Sequence, residues 1–217
     1  DLNVFMANLL DAETTTATIA GTITSERVEA LKTLTGVNAY NITINAADAT
    51  STTAADLNEI NALTSVPVNL VNVTEMAASS LSDLETLGAA ITNNEFSNAT
   101  GLTTLAISDT TIDATALAST IDSYDEINGE STTGMTLAAG ATINVDASEV
   151  IEMLDDEIAG RLTISDQQIT VTGEISANDA RELSEITTGL LTATILDTTI
   201  DQLDNLPVSD NALTIRL

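Results

Sequence analysis

Residues 169–189 read ITVTGEISANDARELSEITTG. Apolar or small residues alternate at Ile169, Val171, Gly173 and Ile175, the period of a strand with one buried face. Ser176 then stands where a helix N-cap belongs, and Ala180, Leu183 and Ile186 follow at a helical spacing. Residues 17–36, ATIAGTITSERVEALKTLTG, lie over this stretch without a gap. The two share Thr18/Thr170, Gly21/Gly173, Ile23/Ile175, Leu31/Leu183 and Thr35/Thr187, while Ile19/Val171, Thr24/Ser176 and Leu34/Ile186 match in kind. A strand running into a short amphipathic helix is therefore a unit used more than once, and self-similarity over tens of residues marks repeat architectures.

The strict unit puts an apolar residue at the strand's end and others at +5, +8 and +11. Four sets fit: Ile23/Val28/Leu31/Leu34, Met76/Leu81/Leu84/Leu87, Ile175/Ala180/Leu183/Ile186 and Ile195/Ile200/Leu203/Leu206. In so apolar a chain roughly seven such windows arise by chance, so the weight falls on their context. Alternation precedes most of the sets. Ser25, Ser176, Thr198 and Asp146 stand before the helical stretches as N-cap candidates, Asp146 with Glu149 three residues on. Gly36, Gly88, Gly129, Gly160 and Gly189 fall at or after the expected helix ends.

Extended along the chain, the pattern predicts a helix at 2–13 and strand–helix pairs at 17–24/25–35, 40–46/53–64, 68–74/79–92 and 103–108/112–127. A hairpin-like pair, 133–138 and 141–145, precedes a helix at 147–159. Strands at 161–165 and 169–175 precede a helix at 177–187, and a strand at 190–196, a helix at 198–206 and a strand at 211–217 close the chain. Short links between strand and helix favour parallel neighbours with right-handed crossovers. The expected fold is α/β: a repetitive strand–helix solenoid, with a mainly parallel sheet on one side and short amphipathic helices on the other. Pro67 and Pro207 sit singly in turns and no linker divides the chain, so residues 1–217 read as one elongated repeat domain of about seven to eight units. A doubly wound domain is the competing architecture, but its long, near-continuous apolar strands are missing.

Composition fits a layered object. Of 217 residues, 43% are hydrophobic but only 2% aromatic, so the core is aliphatic; 37 are threonine, whose branched side chain suits strands. Five basic residues against 33 acidic ones give a net charge of -28, which repels phosphate backbones and excludes nucleic acid as a partner. The absence of Cys and His excludes thiol catalysis, disulfides and His-based acid–base or zinc chemistry. No stretch is long and apolar enough to insert into a membrane. No P-loop, dinucleotide turn or nucleophile elbow occurs, and the expectation is a protein that is not an enzyme.

Two kinds of candidate site stand out. Asp122, Asp125, Asn128 and Glu130, with Gly129, supply hard oxygen ligands in a short segment and make a calcium candidate, although their spacing is not that of an EF-hand. Asp155-Asp156-Glu157 reads as a solvated helix face. Leu2, Phe5 and Leu9 in the opening helix and Leu213, Ile215 and Leu217 in the closing strand form apolar ends without polar caps, which solenoids need for solubility. These residues are candidates for head-to-tail association with neighbouring repeats or with copies of the chain. With Asp1 in place of Met at the start, the chain reads as a mature product or an excised piece of a longer stack. Asn41, Asn72 and Asn98 begin glycosylation sequons that so Thr-rich a chain produces by chance. Tyr40, Tyr124, Phe5 and Phe96 are too few for a sugar-stacking platform, which leaves a surface polysaccharide as a secondary partner.

Leucine-rich repeats have a comparable period, but their L-x-x-L-x-L-x-x-N/C signature is not found. Three segments, Leu183-x-x-Ile186-x-Thr188-Gly189-x-Leu191-x-Ala193-Thr194-Ile195, Asp210-Asn211-Ala212-Leu213-Thr214-Ile215 and Thr18-Ile19-Ala20-Gly21-Thr22-Ile23, resemble the Thr-, Ala- and Asp-rich repeats of very large surface or secreted proteins of marine cyanobacteria and related phages. The resemblance implies an extracellular or cell-surface structural role: part of a filament, sheath or adhesin, or of a phage appendage. It transfers no catalytic residue.

Overall fold

The computed structural model describes residues 1–14, 17–24, 26–129, 134–196, 199–203, 206 and 211–216. Ser25, Glu130, Thr198, Pro207, Asp210 and Leu217, all singled out above, lie outside the described residues. The chain is a mixed α/β protein with mainly parallel sheets and, among the described residues, no closed barrel. It divides into two compact units, residues 1–106 with 123–133 and residues 107–122 with 134–217.

In the first unit α1 (Val4–Glu13) is capped by Asn3, whose Oδ1 accepts the Met6 N–H at 2.8 Å, and it buries Val4 and Ala7. Strand β1 (Ala20–Ile23) pairs in parallel with β2 (Ala39–Ile42), aligning Ile23 with Ile42. Leu2 extends this pairing on one side through a parallel bridge to Ile23, and Asn38 and Thr43 extend it on the other, to Thr64 and Asn69. The expected helix 25–35 shrinks to one turn, α2 (Val28–Leu31), because Thr33 and Leu34 turn back onto Ala30 and Leu31 and the chain reverses at Gly36. Its apolar set survives the loss: Ile23, Val28, Leu31 and Leu34 are all buried.

Helix α3 (Ala54–Asn61) starts at a reciprocal capping box between Thr53 and Asp56 and buries Ala54, Leu57 and Ile60. It packs on α4 (Leu81–Thr92), which is capped by Ser80. Gly88 lies inside α4, not at its end: it is buried, and a Cβ there would stand 3.1 Å from Ser123 Oγ. Strands β3 (Val68–Asn69) and β4 (Phe96–Ser97) are a parallel pair of two residues each, followed by β5 (Thr104–Ala106).

The second unit holds a five-stranded sheet, β12–β11–β10–β8–β6, made of β6 (Thr111–Asp113), β8 (Thr142–Asp146), β10 (Gln168–Ile175), β11 (Leu191–Leu196) and β12 (Ala212–Arg216). All neighbours are parallel, and each strand pairs with the next one along this order at an offset set by one strand–helix unit. One apolar column, Ile112–Ile143–Ile169–Leu191, crosses four strands with every member 0–1% exposed. Full burial of each such side chain is worth about 1.5–3 kcal/mol. Residues 133–138 and 141–145 are not a hairpin. β7 (Gly134–Thr136) pairs with β9 (Leu162–Thr163), and β8 pairs with β6 and β10, so each finds a parallel partner one unit away.

The helices of this unit are α6 (Val150–Ile158), α7 (Ala177–Ile186) and the single turn α8 (Ile200–Leu203), with residues 114–122 of α5 (Ala114–Asn128). α7 begins at the expected Ser176, in a capping box with Asp179. Helix α6 starts later than Asp146 implied. Asp146 Oδ1 instead accepts the Ser148 N–H at 3.0 Å and hydroxyl at 2.7 Å, closing a turn ahead of the helix. Gly36, Gly129 and Gly160 have the positive φ expected of helix ends, at 69, 78 and 74°.

Candidate functional site

Several polar side chains of this chain bind backbone about one strand–helix unit earlier in the sequence. Asn38, 4% exposed, accepts the Ile19 N–H on Oδ1 at 2.9 Å and donates from Nδ2 to Asp11 Oδ1 at 2.9 Å. Thr64 accepts the Tyr40 N–H at 3.1 Å and donates to Tyr40 O at 2.8 Å. In the second unit Gln167, 2% exposed, donates to Ala138 O at 3.0 Å, and Thr187 donates to Gln167 O at 2.5 Å. Asn211 accepts the Leu191 N–H at 3.0 Å. Each of these residues stands at or just before a strand or bridge, and each binds backbone about one unit earlier in the chain.

Helix starts carry a second set of such latches. Asp48, 3% exposed, accepts the N–H of Val28, the first residue of α2, at 3.1 Å, and pairs with Arg27 at 2.6 Å. Ser79, 4% exposed, accepts the N–H of Ala54, the first residue of α3, at 2.9 Å. A helix N-terminus leaves backbone donors unmet; here a side chain 20–25 residues later in the chain supplies the acceptor. The sequence reading missed both sets because Asn, Thr, Gln, Asp and Ser share the task and no fixed-position motif results. Isolated polar residues at the helix-to-strand turn were the available signal.

Of the calcium candidates, Asp122, Asp125 and Asn128 lie on α5, and Glu130 lies outside the described residues. Asp122 belongs to the second unit, where Arg161 lies 3.6 Å from it. Asp125 and Asn128 belong to the first unit: Asp125 is buried, and Asn128 donates to Leu102 O at 2.8 Å. Among the described residues no three acidic side chains are placed to share a metal ion. Of the Asp155-Asp156-Glu157 run, Asp156 is not solvated; it is buried against the Arg161 guanidinium.

Asp122 and Asp156 also line a cleft of about 280 Å³ in the second unit, together with Glu149, Glu152, Leu117, Met153 and Leu162. Within it Glu149 is engaged by Thr115 at 2.6 Å, and Asp122 and Asp156 by Arg161. All five cations of the chain are likewise seated: Arg27 on Asp48, Lys32 on Asp56 and Glu59, Arg161 on Asp156, Arg181 on Glu182 and Glu185, and Arg216 on Glu174. Burial works to raise the Asp56 carboxyl, but the Lys32 ammonium at 2.7 Å and the Thr53 N–H and hydroxyl outweigh it and hold the group below the usual range. Asp146 is also held low, by the Ser148 N–H and hydroxyl. Burial pushes the Tyr124 phenol up, and its hydroxyl donates to Leu84 O at 3.1 Å.

Of the aromatics, Tyr40, Tyr124 and Phe96 are buried and Phe5 is 73% exposed. Phe5 and Leu9 stand on the outward side of α1, while Leu2, half-buried, bridges to Ile23. Leu213 and Ile215 lie in β12, where Ile215 is 47% exposed. Among the described residues no helix is long and apolar enough to cross a membrane. Comparison with protein families, curated proteins and solved structures finds no match for the chain.

Proposed function

We propose that this chain is a non-enzymatic structural repeat module, a strand–helix solenoid that belongs to a large extracellular or cell-surface protein or filament and stacks head to tail. The observation that carries the reading is the pairing order. Partners lie 19 residues apart at Ala20–Ala39, 26 at Thr43–Asn69, 31 at Thr111–Thr142, 26 at Gln168–Thr142 and 20 at Thr192–Ala212, always in parallel. Latches such as Asn38 to Ile19 and Asn211 to Leu191 repeat the same step. The role is mechanical. Backbone ladders and aliphatic columns resist deformation, and the carboxylate-rich surface keeps the assembly dissolved and is where calcium would act. With three of four aromatics buried, a polysaccharide-binding adhesin has less support than the structural role, and a phage appendage shares its physics.

Removing one whole layer tests the reading. The register aligns Ile169 with Leu191, so deleting residues 169–190 sets Leu191 beside Ile143 in place of Ile169. In a stack, each layer contacts only its neighbours and stability is a sum over layers. The shortened chain is expected to unfold cooperatively in urea with a smaller m-value. If it lost its far-UV circular dichroism instead, the layers would not be interchangeable and the proposal would fail.

A further inference from the structure

Two unpartnered faces carry opposite chemistry, and the inference drawn from them rests on the stacking role proposed above. On the first unit, α1 turns Phe5, Met6, Leu9 and Leu10 outward, 73, 42, 46 and 38% exposed. The helix ends in Asp11 and Glu13 with no basic residue in its last turn. A helix C-terminus already carries partial negative charge from its unmet carbonyls, so this pole lacks its natural counter-charge.

On the second unit, β12 pairs with β11 alone among the described residues. The column Ile175–Ile195–Ile215 runs from 4 to 0 to 47% exposed as it reaches that edge. Leu196, in register with Arg216, is 48% exposed. Apart from Arg216 the edge strand, Ala-Leu-Thr-Ile-Arg, holds no Lys, Pro or bulge of the kind that guards natural edges. The Arg216 guanidinium touches Glu174 and still leaves 67% of its side chain to solvent. A guanidinium has five N–H donors in a fixed fork, so a second carboxylate fits beside the first.

We infer that a second copy of this chain docks its α1 face against the β12 edge of the first. Phe5 and Leu9 cover Leu196, and Glu13 faces Arg216, which lies in register with Leu196 on the same face of the sheet. The contact is heterologous, so each copy keeps one face open for the next. Two chains of charge -28 repel at long range, and screening shortens that reach to about 10 Å at 0.1 M salt. Association therefore strengthens as salt is added, and the short Arg216 pair keeps it specific.

The test is sedimentation velocity of the whole chain over a wide concentration range, at low and high ionic strength. Leu9→Asp blocks the first face and Arg216→Glu the second, both at exposed positions, with circular dichroism confirming that each variant folds. Wild type is expected to form larger species at high concentration and high salt. Each variant alone is expected to associate about tenfold or more weakly, a change of about 1.4 kcal/mol. Mixed together, they should form a dimer and nothing larger, because one supplies the intact α1 face and the other the intact edge. Wild type that stays monomeric throughout overturns the contact, as does a mixture that forms no dimer or a variant that associates as well as wild type. A monomeric wild type whose layer-deleted form still folds would overturn the contact alone and leave the repeat reading standing.

Discussion

Asn38 offers the sharpest test of the latches. In Asn38→Ala the Ile19 N–H loses its acceptor and Asp11 loses a donor, at a position 4% exposed to solvent. An orphaned, largely buried N–H costs about 1–3 kcal/mol, and the hydrogen bond to a carboxylate adds about 1.5–3. Part of that second contribution returns because Asp11 is half-buried and regains water, so the expected loss is about 2–4 kcal/mol. Asn38→Asp separates the two contributions. It keeps an acceptor for Ile19 but sets a carboxylate against Asp11, 2.9 Å from the present amide nitrogen. Two facing carboxylates raise each other's pKa in the folded state. Protonation then favours folding, so the deficit of this variant against wild type shrinks below the unfolded carboxyl pKa of about 4 and grows as pH rises through the raised folded value. The assay is urea unfolding at constant m-value from acid to neutral pH, each variant compared with wild type at the same pH. A loss in Asn38→Ala below about 0.5 kcal/mol, the scatter of ordinary surface changes, would refute the reasoning. So would an Asn38→Asp deficit that does not vary with pH.

Two further outcomes follow from the packing and the charges. A Cβ on Gly189 would lie 2.2 Å from Gln167 O and 2.6 Å from its carbonyl carbon, and backbone has no flexible end to move aside. Gly189→Ala should therefore destabilise the fold by the upper part of the about 1–3 kcal/mol that overpacking costs and lower the melting temperature, whereas Gly134→Ala, with its nearest neighbour 3.8 Å away, should change it little. Because the folded pKa of Asp56 is depressed, its contribution is present above the unfolded value and is lost as pH falls through the folded one. Lys32→Met removes the main cause, so its stability curve should run below that of wild type at neutral pH and converge with it under acid; parallel curves would contradict the assignment.

The strand–helix unit was legible because it is written in hydrophobicity. Ile175, Ala180 and Leu183 keep their spacing in the structure, and all three are buried. Caps were legible where the acceptor is local, as at Ser176. Three features escaped for physical reasons. Residues 133–138 and 141–145 look like a hairpin because proximity along the chain is all that pattern reading sees, yet the partners of Thr142 are Thr111 and Gln168. The strand expected at 68–74 keeps only Val68 and Asn69, and its two-residue partner at Phe96 is too short to show alternation. The latches join residues about one unit apart and use whichever polar side chain reaches, so only coordinates reveal them.

The scarcity of cations has a consequence in a protease-rich medium. Trypsin-like enzymes cut after Lys or Arg and need that side chain extended into a deep pocket, with several flanking residues stretched along the enzyme. This chain of 217 residues offers five such places, and each side chain is clasped by at least one carboxylate. Cleavage there requires the ion pair to part and the local backbone to open, so the rate follows the population of locally opened states. A chain with five cations against 33 carboxylates thus gives one common class of digestive enzyme very little to hold.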